Sequence, residues 1–475
     1  MTDPAIVFAP ATELARALRE RELSAREVVD AHLAQIERVN PQVNAVVTLA
    51  AERARDEARA ADEALAHGVE PGPLHGLPIL HKDTHATAGL RTTHGSPLFK
   101  DAVPDEDELI VARERAAGAI SLGKTNVPEF AAGSHTYNEV FGATRNPYDP
   151  TRSPGGSSGG AAAALATGMA PLADGSDMGG SLRNPASFCN VVGLRPTPGR
   201  VPTWPAVDAW STLSVQGPMA RSVADVALLL SVVAGPTDRA PLALDDPGAA
   251  FSKPLDRDLT GLRIAWSADL GGALPIDPEV RDIVTAQAVV FEQLGCTVEE
   301  ACPDFAGADE VFRTIRGIHF EATVGALRDS HPELIKSSVI WNVDYGRRLT
   351  GVDLARARRL QTELFHRARL FFDTYDALVL PVSPVPPFDA TLEYPAEVAG
   401  VAQTTYLDWM RAAYYITVLG TPALAVPAGF TTGGLPVGVQ IVGGHRQELA
   451  VLQIGHAFEQ ATRWGQRRPA VAALS

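Results

Sequence analysis

The chain has 475 residues, of which 45% are hydrophobic and 20% charged, a composition that excludes a disordered or fibrous protein and indicates a compact globular one. Its formal net charge is −15 and it contains no basic block, so nothing predicts binding to a phosphate backbone. Its three cysteines have no C-x-x-C spacing, which argues against both a disulfide framework and a thiolate metal site.

Residues 1–70 are predicted to form helices that pack on the core. Ser24 and Glu27 fit a capping box, in which a hydroxyl and a carboxylate satisfy the free amides at a helix start. Apolar residues at helical spacing follow, and we expect Asn40-Pro41 to stop this helix. A second helix, rich in Ala, Glu and Arg, is predicted over residues 50–67 and should be mostly exposed.

From residue 71 the chain alternates short apolar runs with Gly- and Pro-rich loops, which predicts an α/β fold with helices over a sheet. Residues 71–240 should form the core of this fold. Helical patterns between residues 277 and 372 predict a variable lobe, which we place at 241–376. Residues 377–475 return to strand texture and complete the core, so that we expect one large domain overall.

Three local patterns could carry chemistry. In the first, Ser157 lies in the run Gly155-Gly156-Ser157-Ser158-Gly159-Gly160, directly before a small-residue helix. Glycines permit close backbone approach, and a helix start offers free amides. The spacing of a phosphate-binding loop is absent, and no apolar strand precedes the serine as a nucleophile elbow requires. By itself this run is as compatible with a structural turn as with a catalytic one.

The second and third patterns follow apolar runs. Ser181 stands behind Gly179 and Gly180, and consecutive glycines let several backbone amides point at one atom, as an oxyanion requires; a tight turn is the alternative. Lys82 ends the run Leu77 to His81, where burial would lower its pKa toward that of a base. Most such lysines extend to solvent instead.

Together, the order and spacing of Lys82, Ser157 and Ser181 in glycine-rich frames resemble the amidase signature family. Further segments carry the same resemblance, so that it covers essentially the whole chain: Gly123 to Asn126, Gly142 to Pro147, Ser187 to Cys189, Val192 to Thr197 and Leu435 to Gln440. The resemblance implies the amidase signature fold, with a large mixed β-sheet sandwiched by α-helices. It also implies hydrolysis of an amide C–N bond without a metal or cofactor.

The resemblance further implies a role for each matching residue. Ser181 matches the nucleophile, Ser157 a relay serine held by a cis peptide bond, and Lys82 the base. The backbone amides of Met178, Gly179, Gly180 and Ser181 match the oxyanion hole. The remaining expected site residues fall into two groups: Ser158, Asp177 and Arg183 as supports of the catalytic loop, and Ala131, Gly133, Ser134 and Phe141 at the border of the substrate channel.

Three positions depart from the family pattern, which commonly has Thr at Met178, Ser at Ala161 and Val at His81. The Met178 side chain is expected to reshape the pocket beside the oxyanion hole. His81 is a candidate for an additional base, but a histidine next to a lysine in the chain usually faces elsewhere. Cys189 lies in an apolar stretch and is predicted to be core.

Substrates and partners are less constrained. The family acts on varied amides and carbamates, and we expect an uncharged apolar or aryl group in an aromatic pocket, to which the following residues are candidates: Trp204, Trp210, Trp341, Tyr345, Trp409 and Tyr414. Carbamates (urethanes) and esters are further candidate substrates. A homodimer is compatible with the sequence. The start of the chain has no secretory signal, and the apolar run from Val226 to Ala234 is too short to span a membrane, so we expect a cytoplasmic protein without a membrane partner.

Two other functions stay open. The amidase component of tRNA-dependent amidotransferases shares the triad but works on glutamine with partner subunits. Such components usually carry Met-Asp-Glu-Phe where this chain has Val127-Pro128-Glu129-Phe130, which favours a stand-alone amidase. A non-catalytic binding protein on an amidase scaffold is the second alternative, and the intact triad positions argue against it.

Overall fold

A computed structural model describes residues 4–472, which form fifteen α-helices and fifteen β-strands. The helices are α1 Pro4–Val7, α2 Ala11–Arg19, α3 Ala25–Val43, α4 Ala51–Ala66, α5 Leu109–Ala116, α6 Gly159–Ala166, α7 Arg183–Phe188, α8 Val223–Val233, α9 Pro278–Ala286, α10 Ala288–Gln293, α11 Ala308–Ser330, α12 Ser337–Arg348, α13 Gly351–Phe372, α14 Arg411–Leu419 and α15 Glu448–Thr462. The strands are β1 Val46–Leu49, β2 Pro78–Lys82, β3 Ile120–Thr125, β4 Tyr137–Asn138, β5 Gly142–Ala143, β6 Leu172–Asp177, β7 Val192–Arg195, β8 Val215–Ala220, β9 Arg263–Trp266, β10 Thr297–Glu300, β11 Ala377–Pro381, β12 Glu397–Val398, β13 Val401–Ala402, β14 Ala423–Phe430 and β15 Pro436–Val442.

Eleven of these strands form one mixed sheet in the order β1-β3-β2-β6-β8-β7-β14-β15-β11-β9-β10. The β3-β2-β6 and β11-β9-β10 neighbours are parallel, and the other pairs are antiparallel. The remaining four strands form two short hairpins, β4-β5 and β12-β13. No helix among residues 4–472 is long and apolar enough to cross a membrane.

Both faces of the central sheet are covered. Every residue of β2, β3, β8, β11 and β15 is buried. Because successive side chains of a strand point to opposite faces, unbroken burial requires packing on both sides. These strands are accordingly continuous apolar runs rather than alternating ones. The predicted α/β fold, with a large mixed sheet flanked by helices, is confirmed.

The four segments proposed from the sequence share this sheet. Residues 1–70 contribute β1 to one edge, and residues 241–376 contribute β9 and β10 to the other. The third segment is therefore not purely helical; its helical part is α11 to α13, where α11 packs against both α12 and α13. Local patterns did not reveal β10, because its residues Thr297–Glu300 are half exposed and polar.

The predicted helix after Ser24 is present with its capping box. The Ser24 hydroxyl accepts from the Glu27 amide, and the Glu27 carboxylate accepts from the Ser24 amide at 2.8 Å. The helix does not stop at Asn40-Pro41, as expected, but ends at Val43. Asn44 then adopts a left-handed conformation, and the Asn40 side-chain oxygen accepts from the two amides that follow. A proline in the last turn removes one amide donor without preventing that turn.

Helix α11 is the element that closes the molecule over the end of β6. It packs on α12, α13 and α14, and Phe312 stacks on Tyr414 of α14 with ring centroids 4.1 Å apart. A side chain at Gly179, just after β6, would meet the Phe312 ring at 3.0 Å. The loop after β6 is thus covered by α11.

Gly160 fixes the distance between α6 and β3. A methyl group at this position would lie 2.4 Å from the amide nitrogen of Asn126 and 2.6 Å from its carbonyl oxygen. Backbone atoms cannot move aside as a flexible side chain can. We therefore expect Gly160→Ala to lower the free energy of unfolding by about 3 kcal/mol, measured by chemical denaturation. Gly351→Ala is the matched control, because a methyl group there meets nothing within 4 Å, and equal losses in the two variants would contradict this packing.

Candidate active site

The three chemical motifs meet at one edge of the sheet. The neighbouring parallel strands β2 and β6 end at Lys82 and Asp177, so the loops that follow them emerge side by side. Ser157 precedes α6, whose first glycines pack beside β3, and Ser181 follows β6. Ser157 and Ser181 line the same cavity, which has a volume of about 440 Å³.

The Lys82 side chain is fully buried among hydroxyl groups. Its Nζ lies 2.7 Å from the Ser157 Oγ, 2.9 Å from the Ser158 Oγ and 2.9 Å from the Ser176 Oγ. An ammonium can donate to all three oxygens, whereas a neutral amine accepts one hydrogen bond and donates two. Three hydroxyl partners can therefore serve both protonation states.

Burial lowers the pKa of Lys82 to about 7, although the carboxylates of Asp177 and Asp174 oppose the change. No carboxylate within residues 4–472 forms an ion pair with this ammonium. The desolvation cost of the charged form is consequently not offset by a direct contact. The structure thus provides a lysine that is partly neutral near pH 7.

The two adjacent serines have different positions. The peptide bond between Gly156 and Ser157 is cis, which is the conformation that the family resemblance implies. The Ser158 amide donates to the Ser181 carbonyl at 3.2 Å, while its hydroxyl contacts Lys82. Ser158 therefore joins the loop of Ser181 to the lysine.

The loop from Met178 to Ser181 exposes backbone amides to the cavity wall. The Gly180 amide donates to the Asp177 Oδ1 at 2.9 Å, so this amide is occupied. In the described part of the chain no hydrogen bond engages the amides of Met178, Gly179 and Ser181. The predicted set of four oxyanion donors is thereby reduced to three in this structure. Gly180 has φ +115°, a conformation that side chains rarely adopt.

A buried ion pair holds this loop. Both Asp177 oxygens accept from the Arg183 guanidinium at 3.0 Å, and Arg195 donates to the Asp177 carbonyl at 2.6 Å. All three side chains are fully buried. Burial alone would raise the pKa of Asp177, but the two arginines outweigh it and hold this pKa well below its usual range. The carboxylate therefore stays ionised and keeps its bond to the loop.

His81 points away from the Lys82 amine. Its Nδ1 lies 2.6 Å from the Asp174 Oδ2 and its Nε2 lies 2.8 Å from the Ser121 Oγ. Glu114 completes a buried group whose ligand atoms lie within 4.8 Å of one another. Burial would lower the pKa of His81, but Asp174 outweighs it and raises this pKa to about 9. A charged imidazolium donates to a carboxylate and cannot bind a metal, so we assign an ion pair here.

Two of the four predicted channel residues line the cavity. Ala131 and Gly133 do, and Ala131 has φ +55°. Ser134 instead accepts a hydrogen bond from the Trp409 indole at 2.9 Å in the core, and Phe141 lies under the Arg91 guanidinium on the β4-β5 hairpin. Ser134 and Phe141 are therefore corrections: each is close to the site in sequence, but its side chain is used elsewhere.

The predicted aromatic pocket was also wrong in its members. None of the six tryptophans and tyrosines proposed for it lines the cavity; Trp409 and Tyr414 are core residues, and Trp210 is exposed. The aromatic and aliphatic side chains that line the cavity are Phe99, Phe130, Phe320, Val324, Leu327, Tyr406 and Met410, together with Met178. Those from α11 follow a helical spacing, which in a sequence cannot be distinguished from an ordinary core face.

Polar residues of the cavity were missed as well. Arg316 lines it from α11 and donates to the sulfur of Met178 at 2.9 Å and to the Tyr406 hydroxyl at 2.6 Å. His85, Glu108 and Gln216 line another part of the wall. His85, three residues after Lys82, was within reach of sequence reasoning; the other two come from distant segments.

Comparison with known proteins agrees with this geometry. The family model described as Amidase matches residues 27–452. The chain is 35% identical to an acylamidase of Rhodococcus erythropolis, over 99% of each chain. It is 37% identical to the amidase component of the glutamyl-tRNA(Gln) amidotransferase of Synechococcus sp. (strain CC9605), over 96% of each chain. The solved structure of a bacterial aryl acylamidase of the amidase signature family superimposes with a TM-score of 0.91 at 29% identity, covering 98% of this chain and 99% of the other.

The fold, the site and these matches together define the class of protein: the chain belongs to the amidase signature family. It is an enzyme that hydrolyses amide C–N bonds.

The Asp177–Arg183 pair provides a test of how the loop is held. Arg183→Met leaves a buried carboxylate with one fewer partner, so we expect a loss of about 3–5 kcal/mol in the free energy of unfolding. Arg55→Met, which breaks an exposed pair with Asp30, should cost less than about 1 kcal/mol. Chemical denaturation of both variants measures the difference. A similar small loss in both would show that the buried pair does not hold the loop.

Proposed function

We propose that the protein is a serine amidase in which Ser181 is the nucleophile, Ser157 the proton relay and Lys82 the base. The observation that carries this proposal is the 2.7 Å contact between the Lys82 amine and the Ser157 hydroxyl at full burial. A partly neutral amine beside a hydroxyl is the arrangement that general-base catalysis requires.

In the first half of the reaction, neutral Lys82 takes the proton of Ser157 while Ser157 takes that of Ser181. The Ser181 oxygen attacks the amide carbonyl carbon, and the carbonyl oxygen becomes an oxyanion. The amides of Met178, Gly179 and Ser181 are placed to donate to this oxygen, because they have no other partner among residues 4–472. Ser158 and Ser176 keep the Lys82 amine in place as its charge changes.

In the second half, the tetrahedral intermediate collapses and the C–N bond breaks. The proton returns from Lys82 through Ser157 to the leaving nitrogen, which makes an amine a feasible leaving group. The products at this point are a free amine and an ester of Ser181. Water then loses a proton along the same path, attacks the ester and releases the carboxylic acid, or a carbamic acid from a carbamate substrate.

The cavity favours substrates with apolar or aryl portions. Phe99, Phe130 and Phe320 line it together with aliphatic side chains, and this agrees with the acylamidase and aryl acylamidase among the similar proteins. We therefore propose amides with an apolar or aryl acyl group as substrates, and extend the proposal to carbamates (urethanes) and esters of the same shape. A cytoplasmic location and a homodimer remain part of the proposal.

A second candidate function is supported by the similarity to the amidase component of glutamyl-tRNA(Gln) amidotransferases. In that case the enzyme would release ammonia from glutamine and deliver it within a complex. Glutaminase activity of the purified chain, together with co-purification of partner subunits at native expression level, tests this candidate. Hydrolysis of anilides without glutaminase activity would exclude it.

Ser181→Ala should abolish both turnover and covalent labelling. We expect the wild-type protein to react with a fluorophosphonate probe and to hydrolyse members of a panel of anilides, carbamates, esters and primary amides. Ser187→Ala is a matched control, because this serine lies on α7 and its hydroxyl accepts from the Gly438 amide in the core. Equal labelling of wild type and Ser181→Ala would support the non-catalytic alternative instead.

The rate of amide hydrolysis should fall at acidic pH. The base must be neutral, and the pKa of Lys82 is about 7, so the neutral fraction decreases tenfold per unit well below that pH. We expect kcat/KM for an uncharged anilide to level off above about pH 8 and to approach a slope of one below about pH 6. A neutral substrate ensures that only the enzyme titrates. A constant rate from pH 8 to pH 5 would exclude a lysine base.

A further inference from the structure

One part of the cavity wall is rich in hydrogen-bond acceptors. His85, Glu108 and Gln216 form it, and we call these three residues the acceptor corner. Their exposed fractions are 2%, 8% and 4%, so each is more than nine-tenths buried while lining the cavity. The three come from the loop after β2, the residue before α5, and β8.

Two atoms of the acceptor corner have no partner. Asp174 accepts from the His85 Nδ1 at 2.8 Å, so in the neutral ring Nε2 carries a lone pair. Within residues 4–472 this Nε2 is buried without a hydrogen bond. Gln216 donates its amide nitrogen to Glu108, which leaves the buried Gln216 Oε1 without a partner as well. A buried acceptor without a donor is costly, commonly by 1–3 kcal/mol, so a ligand with N–H groups would satisfy both atoms.

Glu108 adds a carboxylate beside these two acceptors. Burial raises its pKa, because the charged form is poorly solvated, and a cation bound next to it would stabilise that form. The other carboxylate that lines the cavity, Asp208, is already paired with His319 at 3.0 Å. The ligand chemistry that fits the acceptor corner best is therefore an amino group, which carries several N–H donors and a positive charge.

The acceptor corner lies on the same side of the site as the base. Gln216 pairs with Ser176 across β8 and β6, and the Ser176 hydroxyl lies 2.9 Å from the Lys82 amine. The leaving nitrogen receives its proton from the Ser157 and Lys82 side. The apolar wall, by contrast, comes from α11, which covers the oxyanion loop.

We propose that the acceptor corner binds an amino group carried by the amine portion of the substrate, while the apolar wall along α11 receives the acyl portion. This inference rests on the proposed function and narrows it to amides of diamines, in which one nitrogen is acylated and the other is free.

Binding of the product amine tests the site without catalysis. Isothermal titration of the wild-type protein should show at least tenfold tighter binding of 4-(aminomethyl)aniline than of 4-ethylaniline, which has the same shape without the ammonium. The ratio should drop toward one in Glu108→Gln and fall in Gln216→Met. Glu106→Gln, an exposed carboxylate two residues away, should retain the wild-type ratio. Equal affinities of the two amines for the wild-type protein would overturn the proposal.

Kinetics then test which end of the substrate is recognised. We expect kcat/KM to be at least tenfold higher for 4′-(aminomethyl)acetanilide than for 4′-ethylacetanilide, and no such preference between the N-phenyl amides of 4-(aminomethyl)benzoic and 4-ethylbenzoic acid. A preference only in the acyl pair would overturn the assignment. If no anilide is hydrolysed, the proposed function fails, whereas the titration still decides whether the acceptor corner binds an amine.

Discussion

The site depends on one constraint, the burial of the Lys82 amine without a carboxylate in contact. Three serine hydroxyls surround it, and burial brings its pKa to about 7. If Asp177 or Asp174 made a direct ion pair, the ammonium would be stabilised and the base lost. The fold prevents this by giving each carboxylate other partners. Asp177 is held by Arg183 and Arg195, and Asp174 by two histidines and the Lys82 backbone amide.

The same partition of charges shapes the loop after β6. The Asp177 carboxylate takes the amides of Gly180 and Leu182, so it defines the curvature of the loop while it stays ionised. The amides that remain free are those that face a developing oxyanion. Arginine pairing, loop shape and the neutral lysine are thus parts of a single arrangement. Covered sheet faces are needed for all of it, because water would solvate each charge independently.

Sequence patterns and tertiary contacts contributed unequally to the site. Lys82, Ser157, Ser158 and Ser181 are short-range motif residues, and the structure brings all four together. Ser134 and Phe141 were placed in the channel by position in the chain, but side-chain direction sends Ser134 to Trp409 and Phe141 to Arg91. The tryptophans were chosen for their chemistry alone, and large apolar side chains are as useful in a core as in a pocket.

By itself, the sequence determined the α/β class, most of the helices and strands near the site, and the candidate triad, because apolar periodicity, capping and glycine spacing are local properties. It left the acceptor corner, the apolar wall from α11 and the occupied Gly180 amide undetermined. Each of these requires residues more than a hundred positions apart, or a particular backbone direction, to meet. Such contacts are fixed only when the sheet order is fixed, so the tertiary structure alone decided which side chains surround the substrate.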